Sequence, residues 1–146
     1  MSSENAGIVI SKSSTAAKQT FFRLKIDCSG DQDANAYSLN RELAEKLISI
    51  RPRMRSIQME KCLVDVLKKL PNNAVVKNVD VLFNPGYKID VLKVLITAYK
   101  QHPFSLIWPG TMYDGKLVYS EEGYPDYHVY EISDYDIICM CIKKIW

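Results

Sequence analysis

The chain has 146 residues, 47% hydrophobic and 25% charged, which fits one globular domain with enough apolar side chains to build a core. Its net charge of +2 is too small to single out nucleic acid as a partner. No run approaches the ~20 apolar residues that a membrane span needs, and Met1-Ser2-Ser3-Glu4-Asn5 lacks the basic region and apolar core of a secretion signal, so a cytoplasmic protein is expected.

In chain order, residues 1–5 are expected to fray. Gly7-Ile8-Val9-Ile10 reads as a first strand, and Ser11 to Thr15 as a polar loop. Thr15 to Cys28 reads as a helix with apolar Phe21, Phe22 and Ile26, capped by Ser14 or Thr15. Ser29-Gly30-Asp31-Gln32-Asp33 is a loop, with Gly30 suited to a helix C-terminus. Ala36 to Leu39 is a short strand. Asn40 is placed to cap a helix from Arg41 to Ile50, on which Leu43, Leu47 and Ile50 form one stripe.

Pro52 stops that helix. Ser56 opens another, to Leu70, with an approximate capping box to Glu60 and apolar Ile57, Leu63, Val64, Val66, Leu67 and Leu70. Pro71-Asn72-Asn73 breaks the chain before Ala74-Val75-Val76, an apolar run of the kind buried on both faces of a sheet. Asn84-Pro85-Gly86 is a turn. Tyr87 to Gln101 is the clearest helix, with Ile89, Leu92, Leu95, Ile96 and Tyr99 on one stripe. Phe104 to Trp108 is a buried strand. Asp114-Gly115 predicts a hairpin before Lys116 to Tyr119, His128 to Ile132 pairs with it as a ribbon, and Asp136 to Ile142 is a last buried strand. Strands alternating with helices predict one α/β domain over 1–146, with a mostly parallel sheet covered on both faces and a small antiparallel ribbon near the C-terminus.

Strand, small-residue loop, then helix with a lysine and a threonine near its start is the outline of a phosphate-binding loop. The candidate nucleotide ligands are Ser13, Ser14, Thr15, Lys18 and Thr20. A phosphate loop needs glycines so that its backbone N–H groups can close on the phosphates. Here Lys12 stands six residues before Lys18, and Ala17 one before, where the glycines belong. An ordinary turn capping a helix explains Ser11 to Thr15 equally well. The other strand ends that face a ligand in an open α/β sheet are Lys77-Asn78 and Trp108-Pro109-Gly110. A nucleotide-hydrolysing enzyme needs an Asp there to hold Mg²⁺, and Lys77 cannot serve.

The remaining clusters are plainer. Cys28, Cys62, Cys139 and Cys141 include no C-x-x-C pair, and His102 and His128 are scattered, so buried free thiols are expected and no metal site. Residues 1–73 hold 12 Lys and Arg against 8 Asp and Glu; residues 74–146 hold 7 against 9. The basic excess centres on Arg51, Arg53 and Arg55, which read either as a solvated turn or as a contact for DNA or an acidic partner. Tyrosines gather late, at Tyr113, Tyr119, Tyr124, Tyr127, Tyr130 and Tyr135.

Several longer pieces together carry a resemblance. They are Ser38-Leu39-Asn40-Arg41-Glu42-Leu43-Ala44-Glu45-Lys46-Leu47 and Asn78-Val79-Asp80-Val81-Leu82-Phe83-Asn84-Pro85, then the helix from Asp90 to Leu95, Ile107-Trp108-Pro109-Gly110, and Gly115-Lys116-Leu117-Val118-Tyr119-Ser120-Glu121-Glu122-Gly123-Tyr124-Pro125-Asp126-Tyr127. From Tyr37 to Met140 the chain resembles the BrxF family, the small P-loop proteins of BREX anti-phage defence systems. The resemblance implies a three-layer P-loop NTPase-like fold and a cytoplasmic, prokaryotic setting. It also implies work beside a large ATPase, a DNA methyltransferase and a phosphatase-like component. The chain departs from the family at the glycine-rich loop and at Lys77. The function expected is therefore a non-catalytic scaffold or adaptor with no cofactor and no catalytic residue. The alternatives are an ATP- and Mg-binding subunit with a divergent loop, or a DNA-contacting subunit. A homo-oligomer is also allowed.

Overall fold

The computed structural model describes residues 8–10, 23–29 and 35–142, the side chains of 8–10, 141 and 142 excepted. Its main sheet comprises β1 (Ile8–Ile10), β2 (Leu24–Asp27), β3 (Tyr37–Ser38), β4 (Ala74–Lys77), β5 (Phe104–Ile107) and β9 (Ile137–Ile142), in the order β1-β9-β2-β5-β4-β3. Strands β9, β2, β5, β4 and β3 are parallel to one another, and β1 joins the edge antiparallel to β9. A second sheet, β6 (Thr111–Tyr113), β7 (Lys116–Tyr119) and β8 (His128–Glu131), is an antiparallel ribbon inserted between β5 and β9. The α/β class, the mostly parallel sheet and the ribbon thus agree with the sequence reading.

The register explains the core. Leu24, Ile26, Val76, Phe104, Leu106, Ile137 and Cys139 fall on one face of the sheet, because side chains alternate along each strand. All seven are buried in a single apolar cluster with helices α1 (Asn40–Ile48), α2 (Arg55–Leu67) and α3 (Val91–Gln101). Leu43 and Leu47 supply α1, Met59, Leu63, Val66 and Leu67 supply α2, and Leu92, Leu95 and Ala98 supply α3. Each fully buried Leu among them contributes about 2 kcal/mol of apolar burial. The described helices all pack on this face. On the other face Ile107 and Ile138 are buried, while Lys25, Val75, Ser105 and Lys77 are half-buried.

Several expectations need correction. Leu24–Asp27 is a central strand and not the end of a helix. Its apolar–polar alternation has period two, and pairing with both β5 and β9 outweighs the helix-like spacing of Phe22 and Ile26. The rest of the helix assigned to 15–28, up to residue 22, lies outside the described residues, as do residues 1–5, where fraying is expected, Gly7 and Gly30. Asn40 does not cap α1: its Oδ1 accepts a hydrogen bond from the Val81 amide at 2.9 Å, which ties the helix start to the segment after β4. Ser56 does not cap α2 either, since its hydroxyl donates to the Tyr87 carbonyl at 2.7 Å. Ile57 is 73% exposed and belongs to no core stripe.

The helix expected from Tyr87 begins at Val91, capped by Asp90, whose Oδ1 accepts from the Lys93 amide. The 87–90 segment is held away from helical geometry by Pro85, in a 3₁₀ turn, and by Lys88 at φ 52°. The Asp114-Gly115 turn is as read, with both residues at positive φ, as a two-residue hairpin of right-handed twist requires. Cys62 and Cys139 are buried free thiols and Cys28 is half-buried.

Candidate functional site

In a parallel sheet the chemistry gathers where the strands end. At that edge the register sets Met140, Asp27 and Ile107 side by side on β9, β2 and β5, and pairs Lys77 of β4 with Ser38 of β3. Because Val76 pairs with Leu106, Lys77 comes next to Ile107. Asp27 and Lys77 therefore stand two strands apart, about 10 Å between backbones, on the face opposite the helices.

Each position has a structural partner. The Asp27 carboxylate accepts the Ser29 amide at 2.9 Å, an Asx-type turn that bends the chain off β2. The Trp108 amide donates to the Asp27 carbonyl at 2.9 Å, and the Cys28 amide to the Met140 carbonyl at 2.7 Å, so the ladder runs one residue past each strand. Asn78 sits at φ 54° and its amide donates to the Ser38 hydroxyl at 2.9 Å. Trp108 is 3% exposed, and its indole N–H donates to the Val118 carbonyl at 3.1 Å. It braces the ribbon and offers no open ring to a ligand.

Beyond Asn78, the 3₁₀ turn Asp80–Phe83 opens on the carboxylate of Asp80. The Tyr119 hydroxyl donates to Asp80, and burial of the carboxyl pushes its pKa up, with the nearby Asp126 adding to the rise. Tyr119 is itself pushed up to about 12, by burial first and then by the charges of Asp80 and Asp126. Asp126 in turn accepts from the Ser120 hydroxyl at 2.7 Å.

The sign of this shift makes a prediction. An acid whose folded pKa is raised stays protonated to higher pH in the folded chain than in the unfolded one. Ionising it as pH rises therefore costs stability. Asp80→Asn keeps an oxygen for the Tyr119 hydroxyl and removes the charge. It should raise the melting temperature at neutral pH, and the gain should shrink as pH falls into the ordinary carboxylate range. A pH series of thermal melts checks this, and a gain that grows toward acid pH contradicts it.

The candidate phosphate ligands Ser13, Ser14, Thr15, Lys18 and Thr20 all lie outside the described residues. What precedes them is described. Strand β1 pairs Ile8 with Ile142 and Ile10 with Met140, so it runs against β9 and heads toward the amino ends of the parallel strands. A phosphate loop at the carboxyl edge has to follow a parallel strand, which β1 is not. The central parallel strand is β2. The sequence after it, Cys28-Ser29-Gly30-Asp31-Gln32-Asp33, holds two carboxylates and no lysine, a charge pattern that repels phosphate.

The basic turn divides in two. Arg55 is committed to the fold: its Nε donates to the Ile50 carbonyl at 3.0 Å, just past the end of α1, where a cation also meets the helix dipole. Arg51 and Arg53 are exposed and form no ion pair among the described residues. His102 and His128 are not brought together, and among the described residues no group of three or more His, Cys, Asp or Glu could hold a metal ion. His128 instead stacks on Tyr130, at 13° between rings.

A cavity of about 380 Å³ opens at the opposite, amino end of the strands, lined by Arg23, Lys25, Asn73, Tyr99, Phe104 and Ser105. The sequence reading missed it, because Arg23 and Lys25 were assigned to a helix. Arg23 there pairs with Asp136 at 2.9 Å. No helix among the described residues is long and apolar enough to cross a membrane. No family model, curated protein or solved structure matches the chain.

Proposed function

We propose that the chain is a P-loop-type module without nucleotide chemistry that serves as a scaffold or adaptor in a BREX phage-defence assembly. The observation that carries the loss of chemistry is the charge at the strand ends. Lys77 stands where a nucleotide enzyme needs a Mg²⁺-holding carboxylate, and acids follow β2 where a phosphate loop needs N–H groups and an ammonium. The strand order, with β2 central between β9 and β5, is compatible with a P-loop-like sheet.

Support for the family comes from how its motif pieces interlock. The piece around Ser38 and Asn40 bonds the piece around Asn78 and Val81, by way of Asn78 to Ser38 and Val81 to Asn40. Phe83 stacks on Tyr119, and Trp108 bonds Val118. Segments far apart in sequence thus form one connected network, so their resemblance in order is a resemblance of one structural unit.

Two measurements test the reading. A thermal-shift titration with ATP and ADP, with and without Mg²⁺, should be flat. A ligand that binds only the native state adds about 3 kcal/mol at a hundredfold excess over its Kd, so a clear rise in melting temperature overturns the non-catalytic reading. If that rise is lost with Lys18→Ala, it supports the nucleotide-binding alternative. Affinity capture of the tagged chain expressed with its native operon should retain the large ATPase, the methyltransferase or the phosphatase-like protein. Capture of none of the three overturns the BREX assignment.

A further inference from the structure

Among the described residues, all but one of the exposed large apolar side chains fall in two regions, the exception being Tyr37 on the edge strand β3. Ile48 and Ile57 are each 73% exposed and flank one turn, the α1–α2 connection. That turn is basic: residues 46–60 hold Lys46, Arg51, Arg53 and Arg55 against Glu60 alone, and Lys61 beyond them is paired with Asp65. Tyr113 at 77%, Tyr124 at 62%, and Val129 stand out on the ribbon side of the molecule. That side is acidic: residues 111–134 hold Asp114, Glu121, Glu122, Asp126, Glu131 and Asp134 against Lys116 alone. Lys116 is already shared between Asp114 and Glu131, and Arg55 is occupied at the end of α1. Arg51 and Arg53 on one surface, and Glu121 and Glu122 on the other, are exposed and make no ion pair among the described residues.

Two surfaces on one chain, each carrying exposed apolar residues and opposite in charge, are complementary in both respects that govern association. Apolar and aromatic anchors supply the affinity, and charge supplies steering and register. We propose that the occupant of each surface is a second copy of this chain, the basic α1–α2 turn of one copy docking on the acidic ribbon of the next. Such a contact is heterologous, so it propagates head to tail and either closes as a ring or continues as a filament. It does not depend on the BREX reading, since it rests only on surface residues of this chain.

The test is sedimentation velocity on the full chain. The native protein should associate as concentration rises, and associate more weakly in about 500 mM than in about 50 mM salt, because at the higher salt the screening length falls well below the size of the contact. Two variants each remove one surface: Arg51→Glu with Arg53→Glu, and Tyr113→Ser with Tyr124→Ser. All four positions are exposed, and far-UV circular dichroism should be native for both. Each variant alone should be monomeric where the native chain associates. Mixed in equal amounts they should form a dimer and stop there, because the mixture keeps one working turn and one working ribbon. A native chain that stays monomeric at its highest soluble concentration in low salt overturns the proposal. So does association that either variant leaves intact, which would put the contact elsewhere. So does a mixture of the two that stays monomeric, the outcome expected if the turn binds an acidic partner of another kind.

Discussion

Gly110→Ala should lower the melting temperature by about 10 °C, the largest loss expected from adding a methyl group at any of the described glycines. The reason is space and not backbone angle. A Cβ built at Gly110 would lie 1.9 Å from the Val118 carbonyl oxygen and 2.9 Å from the Trp108 indole nitrogen. Those two atoms are hydrogen-bonded to each other at 3.1 Å. The methyl group must therefore push β7 away and break the bond, leaving a buried indole N–H without its acceptor. Overpacking of this kind costs about 1–3 kcal/mol, and an unsatisfied buried donor about 1–3 more. A total of about 3 kcal/mol converts to about 10 °C for a domain of this size.

The control lies in the same ribbon. Gly115 and Gly123 have φ of +73° and +99° but nothing within 4 Å of an added Cβ. Their substitution by Ala strains only the backbone and should cost about 1 kcal/mol. Thermal melts of the three variants decide the matter. If Gly110→Ala is no worse than Gly115→Ala, the close approach of β7 to the strand end is not what holds the ribbon.

Phe83→Ala should be of the same order, at about 3–5 kcal/mol. Phe83 is buried where three parts of the molecule meet. Its ring lies parallel to Tyr119 of β7 with centroids 3.8 Å apart, edge-on to Trp108 at 5.7 Å, and near Tyr130 of β8 at 6.5 Å. It belongs to the turn that follows β4, so it joins the strand-end segment of the main sheet to the ribbon. Deleting the ring leaves a cavity between two rigid sheets that cannot collapse into it. Phe83→Leu keeps much of the volume and loses the aromatic geometry, which is worth about 0.5–1.5 kcal/mol. Chemical denaturation of both variants should therefore separate packing from stacking. A double-mutant cycle with Tyr119→Leu should show coupling, since the two rings touch. Additive losses would mean that Phe83 stabilises the main sheet alone and does not bind the ribbon to it.

Much of the fold was legible because the signals were local. The α3 stripe of Leu92 and Leu95, the Asp114-Gly115 turn and the buried run Phe104 to Ile107 each follow from a period or a turn chemistry within about a dozen residues. Three of the misreadings share one cause. Asn40 and Ser56 are good caps by local rule, yet each spends its side chain on a backbone group from another part of the chain, Val81 and Tyr87. Leu24 to Asp27 is too short for its period to choose between helix and strand, and two neighbouring strands made the choice.

The same division holds for the candidate site. The sequence by itself determined that no glycine stands between Ser11 and Lys18, that Lys77 follows a buried apolar run, and that the two halves differ in charge, because these are matters of which residue stands where. Only the tertiary structure decided that Arg55 serves the end of α1, that Trp108 is a brace, and that Asp80 lies against Tyr119. It alone decided that β1 runs against its neighbour, and that all but Tyr37 of the exposed large apolar residues described lie on a basic turn or an acidic ribbon. Strand direction and side-chain burial depend on partners tens of residues away, and no window of local sequence contains those partners.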